Sequence, residues 1–402
     1  MEFISEKSRR APRSLIREMF AMQAGMEDVV SFALGEPDFP APKHVIEAVT
    51  ASFQRGETHY TPNGGLPALR QAVSENYRAR GLDYSPEEIL IGAGAISVLC
   101  LACTAILDFG DEVLVADPGW ANYRGLILQT GGVPVPVRVR ADNGFMYDIE
   151  DLKKAITSRT KLLLINSPSN PTGGVASYEN LRQIAELVQE RNLYVLTDEI
   201  YRELLWDRGG YTSIASFPGM KERTVIVDGF SKKYAMTGFR LGYGAAPAEM
   251  IAVMTKLLEN VLSSVNEGIQ WGGVAALTGD QSCVEDMKRQ YLRRRKLVVE
   301  GLNHIENITC PAPKGAFYAF ADISKTGLSS RDFAVRLLQE EHVTVVPGTG
   351  FGAGGEGFIR ISYAASEENI REGLRRMERF VGRLSAQKTV WVPPYRKDSE
   401  DE

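Results

Sequence analysis

The chain has 402 residues, of which 44% are hydrophobic and 24% charged, with a formal net charge of -5. That length exceeds what one simple core organises, so two domains, or one large α/β unit with an appendage, are expected. The composition excludes a disordered chain and a nucleic-acid binder with a basic surface, and leaves a small metabolite as the natural partner. No run reaches the ~20 apolar residues that cross a bilayer, and residues 1–7 lack the apolar segment of a secretory signal, so the expected location is cytoplasmic.

In chain order, the first informative stretch is Gly92-Ala93-Gly94-Ala95-Ile96, followed by an apolar run that reads as a buried helix and contains Cys100 and Cys103. With no second ligand pair nearby, core packing is the expected role of that pair rather than redox or metal chemistry. Cys283 and Cys310 complete a set too sparse for a disulfide framework. His44, His59, His304 and His342 are scattered without ligand spacing, so no metal site is expected.

Short apolar runs ending in Asp, Asn or Gly then follow at Glu112–Ala116, Lys161–Asn166, Leu193–Asp198 and Thr224–Asp228. They read as buried strands of a mostly parallel sheet. Between the second and third lies a helix from Ser177 to Asn192, with Leu181, Ile184, Leu187 and Val188 on one face and Ser177 as its cap. Beyond residue 275 a basic helix over Met287–Gly301 precedes the strands Phe317–Phe320 and Phe358–Ser362. These features predict an α/β large domain over 45–275, a smaller α+β domain from 1–44 with 276–387, and a poorly ordered tail over 388–402.

In open parallel sheets the ligand sits beyond the carboxyl ends of the strands. Those ends carry Asp117 to Tyr123, Asn166 to Gly173, Asp198 to Tyr201, and Gly229 to Arg240. An aromatic ring, an amide, a carboxylate, a phenol, a lysine and an arginine converge there, a set suited to a flat, charged heteroaromatic cofactor with a phosphate.

From about Ala33 to Arg379 the sequence resembles the class I/II aminotransferases of the aspartate aminotransferase fold, and within them the bacterial aspartate aminotransferase subgroup. The resemblance rests on Asn170-Pro171-Thr172-Gly173, Asp198-Glu199-Ile200-Tyr201, Ser231-Lys232 with Ala235 to Arg240, and Phe358 to Tyr363, in the family's order and spacing. It implies pyridoxal 5'-phosphate as cofactor, amino acid and 2-oxo acid as substrates, and a homodimer with shared sites. Lys232 corresponds to the lysine that binds the cofactor covalently, eight residues before the phosphate-binding Arg240; the adjacent Lys233 is the alternative. Asp198 would face the pyridine nitrogen, Asn170 and Tyr201 the phenolic oxygen, and Trp120 would stack on the ring, with Asn170-Pro171 a candidate cis peptide. Gly94, Ala95, Ile96, Ser231 and Arg240 would surround the phosphate, and Tyr60 would reach it from a neighbouring subunit. Gly229 departs from the pattern, since many relatives carry a serine there. Arg360 would grip the substrate carboxylate, with Gly35, Trp120 and Asn170 beside it.

Two features pull the donor preference apart. Ile96 stands where several dicarboxylate-preferring relatives have a lysine and, with Trp120, makes an apolar wall for neutral or aromatic side chains, whereas the subgroup points to aspartate. A carbon–sulfur β-lyase on the same fold and a cofactor-binding regulator without catalysis are the alternatives to transamination.

Overall fold

The computed structural model describes residues 3–4, 6–9, 14–207 and 209–389. Among these, the strands are β1 (Val30–Ser31), β2 (Ile89–Gly92), β3 (Glu112–Asp117), β4 (Val133–Arg138), β5 (Thr160–Asn166), β6 (Tyr194–Asp198), β7 (Thr224–Gly229), β8 (Gly242–Ala245), β9 (Tyr318–Asp322), β10 (Val343–Thr344), β11 (Val346–Pro347) and β12 (Phe358–Ser362). Seven of them form one sheet in the order β2-β8-β7-β6-β5-β3-β4. All run parallel except β8, which lies antiparallel to both β2 and β7.

Alternation along the central strands explains why this sheet is buried on both faces. Val113, Val115, Leu162 and Leu164 point into a core built with the helices Ala95–Ile106, Asn122–Gln129 and Ala248–Val261. Their neighbours Leu114, Leu163 and Ile165 point the other way, against the helix Tyr178–Glu190. That helix starts as expected, with the Ser177 hydroxyl accepting from Asn180 N–H at 3.1 Å. Cys103 is buried inside Ala95–Ile106, where burial pushes its thiol up to about 12, in keeping with packing rather than chemistry.

The C-terminal part carries its own core. Strands β11, β12 and β9 form an antiparallel sheet packed under the helices Ser282–His304, Ser330–Glu341 and Glu367–Thr389. The basic helix is longer than the sequence indicated, because Val284, Met287, Tyr291, Val298 and Leu302 keep one face buried over its whole length. The N-terminal chain joins this part through the parallel pairing of β1 with β10. The tail expected over 388–402 falls, from residue 390 onward, outside the described residues.

Candidate active site

The carboxyl ends of β3, β5, β6 and β7 open onto a cavity of about 320 Å³. Gly35, Ala95, Ile96, Trp120, Asn170, Asp198, Tyr201, Ser231, Lys232, Arg240 and Arg360 all line it, so residues far apart in the sequence meet at one place. Gly94 adjoins it through Arg240. Tyr60 does not line the cavity of its own chain and is 86% exposed.

Lys232 sits in the loop after β7 and donates from Nζ to the Gly35 carbonyl at 2.6 Å. Burial, reinforced by Arg240 and Arg360 and opposed by Glu36 and Asp198, draws its ammonium down to about 8, within reach of deprotonation close to neutrality. Lys233 turns away: its Nζ lies 3.9 Å from Glu203 and over the Tyr234 ring. Of the two lysines, the geometry presents Lys232 to the cavity.

Asp198 ends β6 and is 4% exposed. Its carboxylate accepts from the Tyr123 hydroxyl at 2.7 Å and from the Ile200 N–H at 3.2 Å. Burial nevertheless pushes it up to about 6, because no cation pairs with it among the described residues. A buried carboxylate at the cavity wall with no ion-pair partner among the described residues fits a ligand that brings a protonated ring nitrogen.

One end of the cavity combines backbone amides with the Arg240 guanidinium. The helix Ala95–Ile106 begins at Gly94 with φ +77° and has neither a side-chain cap nor an acidic residue in its first turn, so its N-terminal amides face the cavity unopposed. A Cβ on Gly94 would stand 2.6 Å from Arg240 Nη2, which shows how closely the guanidinium approaches that turn. Arg240 is itself oriented by donating to the Thr237 carbonyl at 2.8 Å. Gly229 lies close against its neighbours: a Cβ there would stand 3.0 Å from Gly242 Cα and 3.1 Å from the Leu241 carbonyl, so a serine at this position would require them to give by a few tenths of an ångström. Ser231 is the hydroxyl left on that side of the cavity.

Arg360 lies on β12 and is 1% exposed. It donates to Asn170 Oδ1 at 3.1 Å and to the Ala33 carbonyl, and it lies over the rings of Tyr318 and Phe351. Its Nε has no partner, and no carboxylate faces it among the described residues. A buried guanidinium in this condition is completed by an anionic ligand. Asn170 is buried behind the cis Asn170-Pro171 peptide, with its amide oxygen turned to Arg360. Trp120 packs edge-on against Tyr123 at 5.0 Å and keeps its indole at the cavity wall.

These observations test the expected cofactor and agree with it: an amine near its titration point, an anion cradle, an unpaired carboxylate and an aromatic wall share one cavity. Sequence reasoning passed over Tyr123, Tyr318, Glu36 and Thr237. Tyr123 could have been found three residues past Trp120, in the same strand-end segment. Tyr318, on β9, gave no signal beyond an aromatic strand. Among the described residues no cluster of His, Cys, Asp or Glu could hold a metal ion, and no helix is long and apolar enough to cross a membrane.

Comparison with known proteins accounts for the arrangement. An aspartate aminotransferase of Pyrococcus horikoshii is 41% identical over 380 residues, 94% of this chain and 97% of the relative. The solved aromatic aminotransferase of the same organism superposes with a TM-score of 0.87 at 40% identity, covering 93% of this chain and 100% of that one. The aspartate aminotransferase of Thermus thermophilus, solved with maleate, superposes with a TM-score of 0.90 at 38% identity, covering 94% of this chain and 100% of that one. Residues 27–377 match the family described as aminotransferase class I and II, and the chain belongs to it: it is a pyridoxal-phosphate-dependent aminotransferase with the α/β fold of that family.

Proposed function

We propose that the protein moves an amino group between an L-amino acid, aspartate or one with a neutral or aromatic side chain, and a 2-oxo acid such as 2-oxoglutarate, in a ping-pong sequence. The observation that carries this reading is the meeting of Lys232, Asp198 and Arg360 in one cavity, with the last two lacking a counter-charge. When bound, pyridoxal phosphate supplies an electron sink for the substrate α-carbon. Asp198 holds a proton on the ring nitrogen, and Tyr123 keeps that carboxylate in place. Asn170 and Tyr201 would hold the phenolic oxygen, and Trp120 would supply an aromatic wall for the ring. Ser231, Arg240 and the amides at Gly94, Ala95 and Ile96 bind the phosphate.

Lys232 would hold the cofactor and would carry a proton to and from the substrate α-carbon, a task suited to an amine whose pKa is near the working pH. Arg360 fixes the α-carboxylate beside Gly35 and Asn170. Ile16, Leu34, Ile96 and Trp120 leave an apolar wall for the side chain, which favours a neutral or aromatic donor. The exposed Tyr60 serves the site of a second subunit in a homodimer. Residues 45–275 form the unit that holds the cofactor, and 1–44 with 276–387 the unit that bears Arg360.

The experiment is direct. The purified protein absorbs in the visible with bound cofactor, Lys232→Ala abolishes both that absorbance and transamination, and Lys233→Ala preserves them. Parallel double-reciprocal lines for donor and acceptor test the ping-pong order, and single-turnover rates for aspartate, phenylalanine and glutamate rank the donors. Protein that shows no such absorbance, or keeps it after Lys232→Ala, overturns the proposal.

A further inference from the structure

Tyr201 and Tyr318 face each other across the cavity wall, their hydroxyl oxygens 2.7 Å apart and their rings edge to face at 5.6 Å. Both are buried, at 4% and 1% exposure. Each hydroxyl has one proton, so which tyrosine donates decides what Tyr201 can offer the cavity.

If the Tyr201 proton goes to the cofactor's phenolic oxygen, as proposed above, Tyr201 has none left to give and Tyr318 is the donor of the pair. Its hydroxyl presses on Gly35, where a Cβ would collide with it, and the α-carbon of Gly35 accepts no hydrogen bond. Among the described residues Tyr201 is the hydrogen-bond partner found for that hydroxyl. Tyr318 lines the cavity beside Tyr201, so if Tyr201 donated, the proton offered to the cavity would be that of Tyr318 instead. If Tyr318 donates, both protons are used: its own on Tyr201, and that of Tyr201 directed into the cavity.

The same ring also supports the other end of the site. The guanidinium carbon of Arg360 lies 4.7 Å from the Tyr318 ring centroid, and Tyr318 on β9 sits beside β12, which carries Arg360. Asp198 and Arg360 are the charged groups acting on Tyr201, and Arg360 acts on Tyr318.

We propose that Tyr318 is a positioning residue with two separable parts: its hydroxyl donates to Tyr201 and frees the Tyr201 proton for the cofactor's phenolic oxygen, while its ring supports Arg360 for carboxylate binding. The inference rests on the assignment of Tyr201 and Arg360 given above. A chain of donors strengthens its last member, so loss of the Tyr318 hydroxyl weakens the bond that Tyr201 makes.

A donor on the phenolic oxygen favours the more negative, deprotonated form of the bound cofactor, so removing it raises the pH at which the cofactor changes colour. Spectrophotometric pH titration of the holoenzyme therefore reads the hydroxyl, and KM for glutamate reads the ring. Tyr318→Phe raises the midpoint by roughly half a pH unit, a threefold change in the equilibrium, with KM within about twofold. Tyr318→Leu raises both the midpoint and KM, the latter roughly tenfold. In a Tyr201→Phe background, adding Tyr318→Phe moves the midpoint no further, because the hydroxyl acts through Tyr201.

A midpoint unmoved by Tyr318→Phe, or moved equally with and without Tyr201, overturns the donor role, and an unchanged KM in Tyr318→Leu overturns the ring's role. If Tyr318→Leu does not fold, Tyr318→Met supplies the ringless test. A wild-type protein without a pH-dependent visible band would instead refute the underlying assignment of the site.

Discussion

At the scale of single residues, the cavity is defined by charges left without partners. Lys232 makes the point quantitatively: with its ammonium drawn down to about 8, free amine is gained as pH rises and is nearly complete above that value. Recombination of apoprotein with pyridoxal phosphate is therefore expected to accelerate with pH and level off above about 8, a profile that stopped-flow absorbance would read. A plateau only above pH 10 would contradict the part that burial plays. Asp198→Asn leaves the cavity its shape but removes the charge proposed to keep the ring nitrogen protonated, so kcat should fall on the order of 10² to 10³ while cofactor affinity changes far less. Arg360→Lys keeps a positive charge but loses the planar fork, and KM for amino donors should rise roughly thirtyfold with kcat less affected. Most of these residues were legible because the motifs that carry them stand at strand ends. Tyr123 and Tyr318 were not: a tyrosine three residues past a tryptophan, or inside an aromatic strand, looks the same in sequence whether its hydroxyl meets Asp198 or a core carbonyl.

At the scale of elements, β3, β5, β6 and β7 were visible because both their faces are buried and their residues form continuous apolar runs. Strand β4 was hidden by Pro134 and Pro136, which a strand tolerates at a sheet edge, where β4 lies. Strand β8 was hidden by Gly242 and Gly244, and their lack of side chains has a structural use. A Cβ on Gly242 would strike the Ala95 amide, so the helix whose N-terminus faces the cavity rests directly on that strand. Gly94 is constrained differently, since its φ of +77° strains any side chain and a Cβ there would push the Arg240 guanidinium from its place. Gly94→Ala should weaken cofactor binding by tenfold or more, measurable by equilibrium dialysis, whereas Ser177→Ala, remote from the cavity, should cost about 1 kcal/mol of stability and leave cofactor affinity alone.

For the whole molecule, the proposed role of Tyr60 makes activity a property of two chains. Mixing a Lys232→Ala protein with a Tyr60→Ala protein under conditions that exchange subunits should restore part of the activity, because the hybrid gathers both defects in one site and leaves the other intact. No recovery would mean that Tyr60 serves its own chain or none. Nothing in the sequence alone separated these cases, since Tyr60 lies in an unremarkable Gly- and Pro-containing turn whose meaning depends on what covers it.

Strand β8 carries one more implication. Gly229 and Gly242 are paired neighbours at the base of the excursion that bears both Lys232 and Arg240, so the two attachments proposed for the cofactor hang from a single loop clasped shut at its root. With Lys232 and Arg240 in the proposed roles, the pairing at the root of the loop would help to set the spacing between the two. Lengthening the loop by one residue anywhere between those glycines would leave every side chain present and yet put the two moorings out of step.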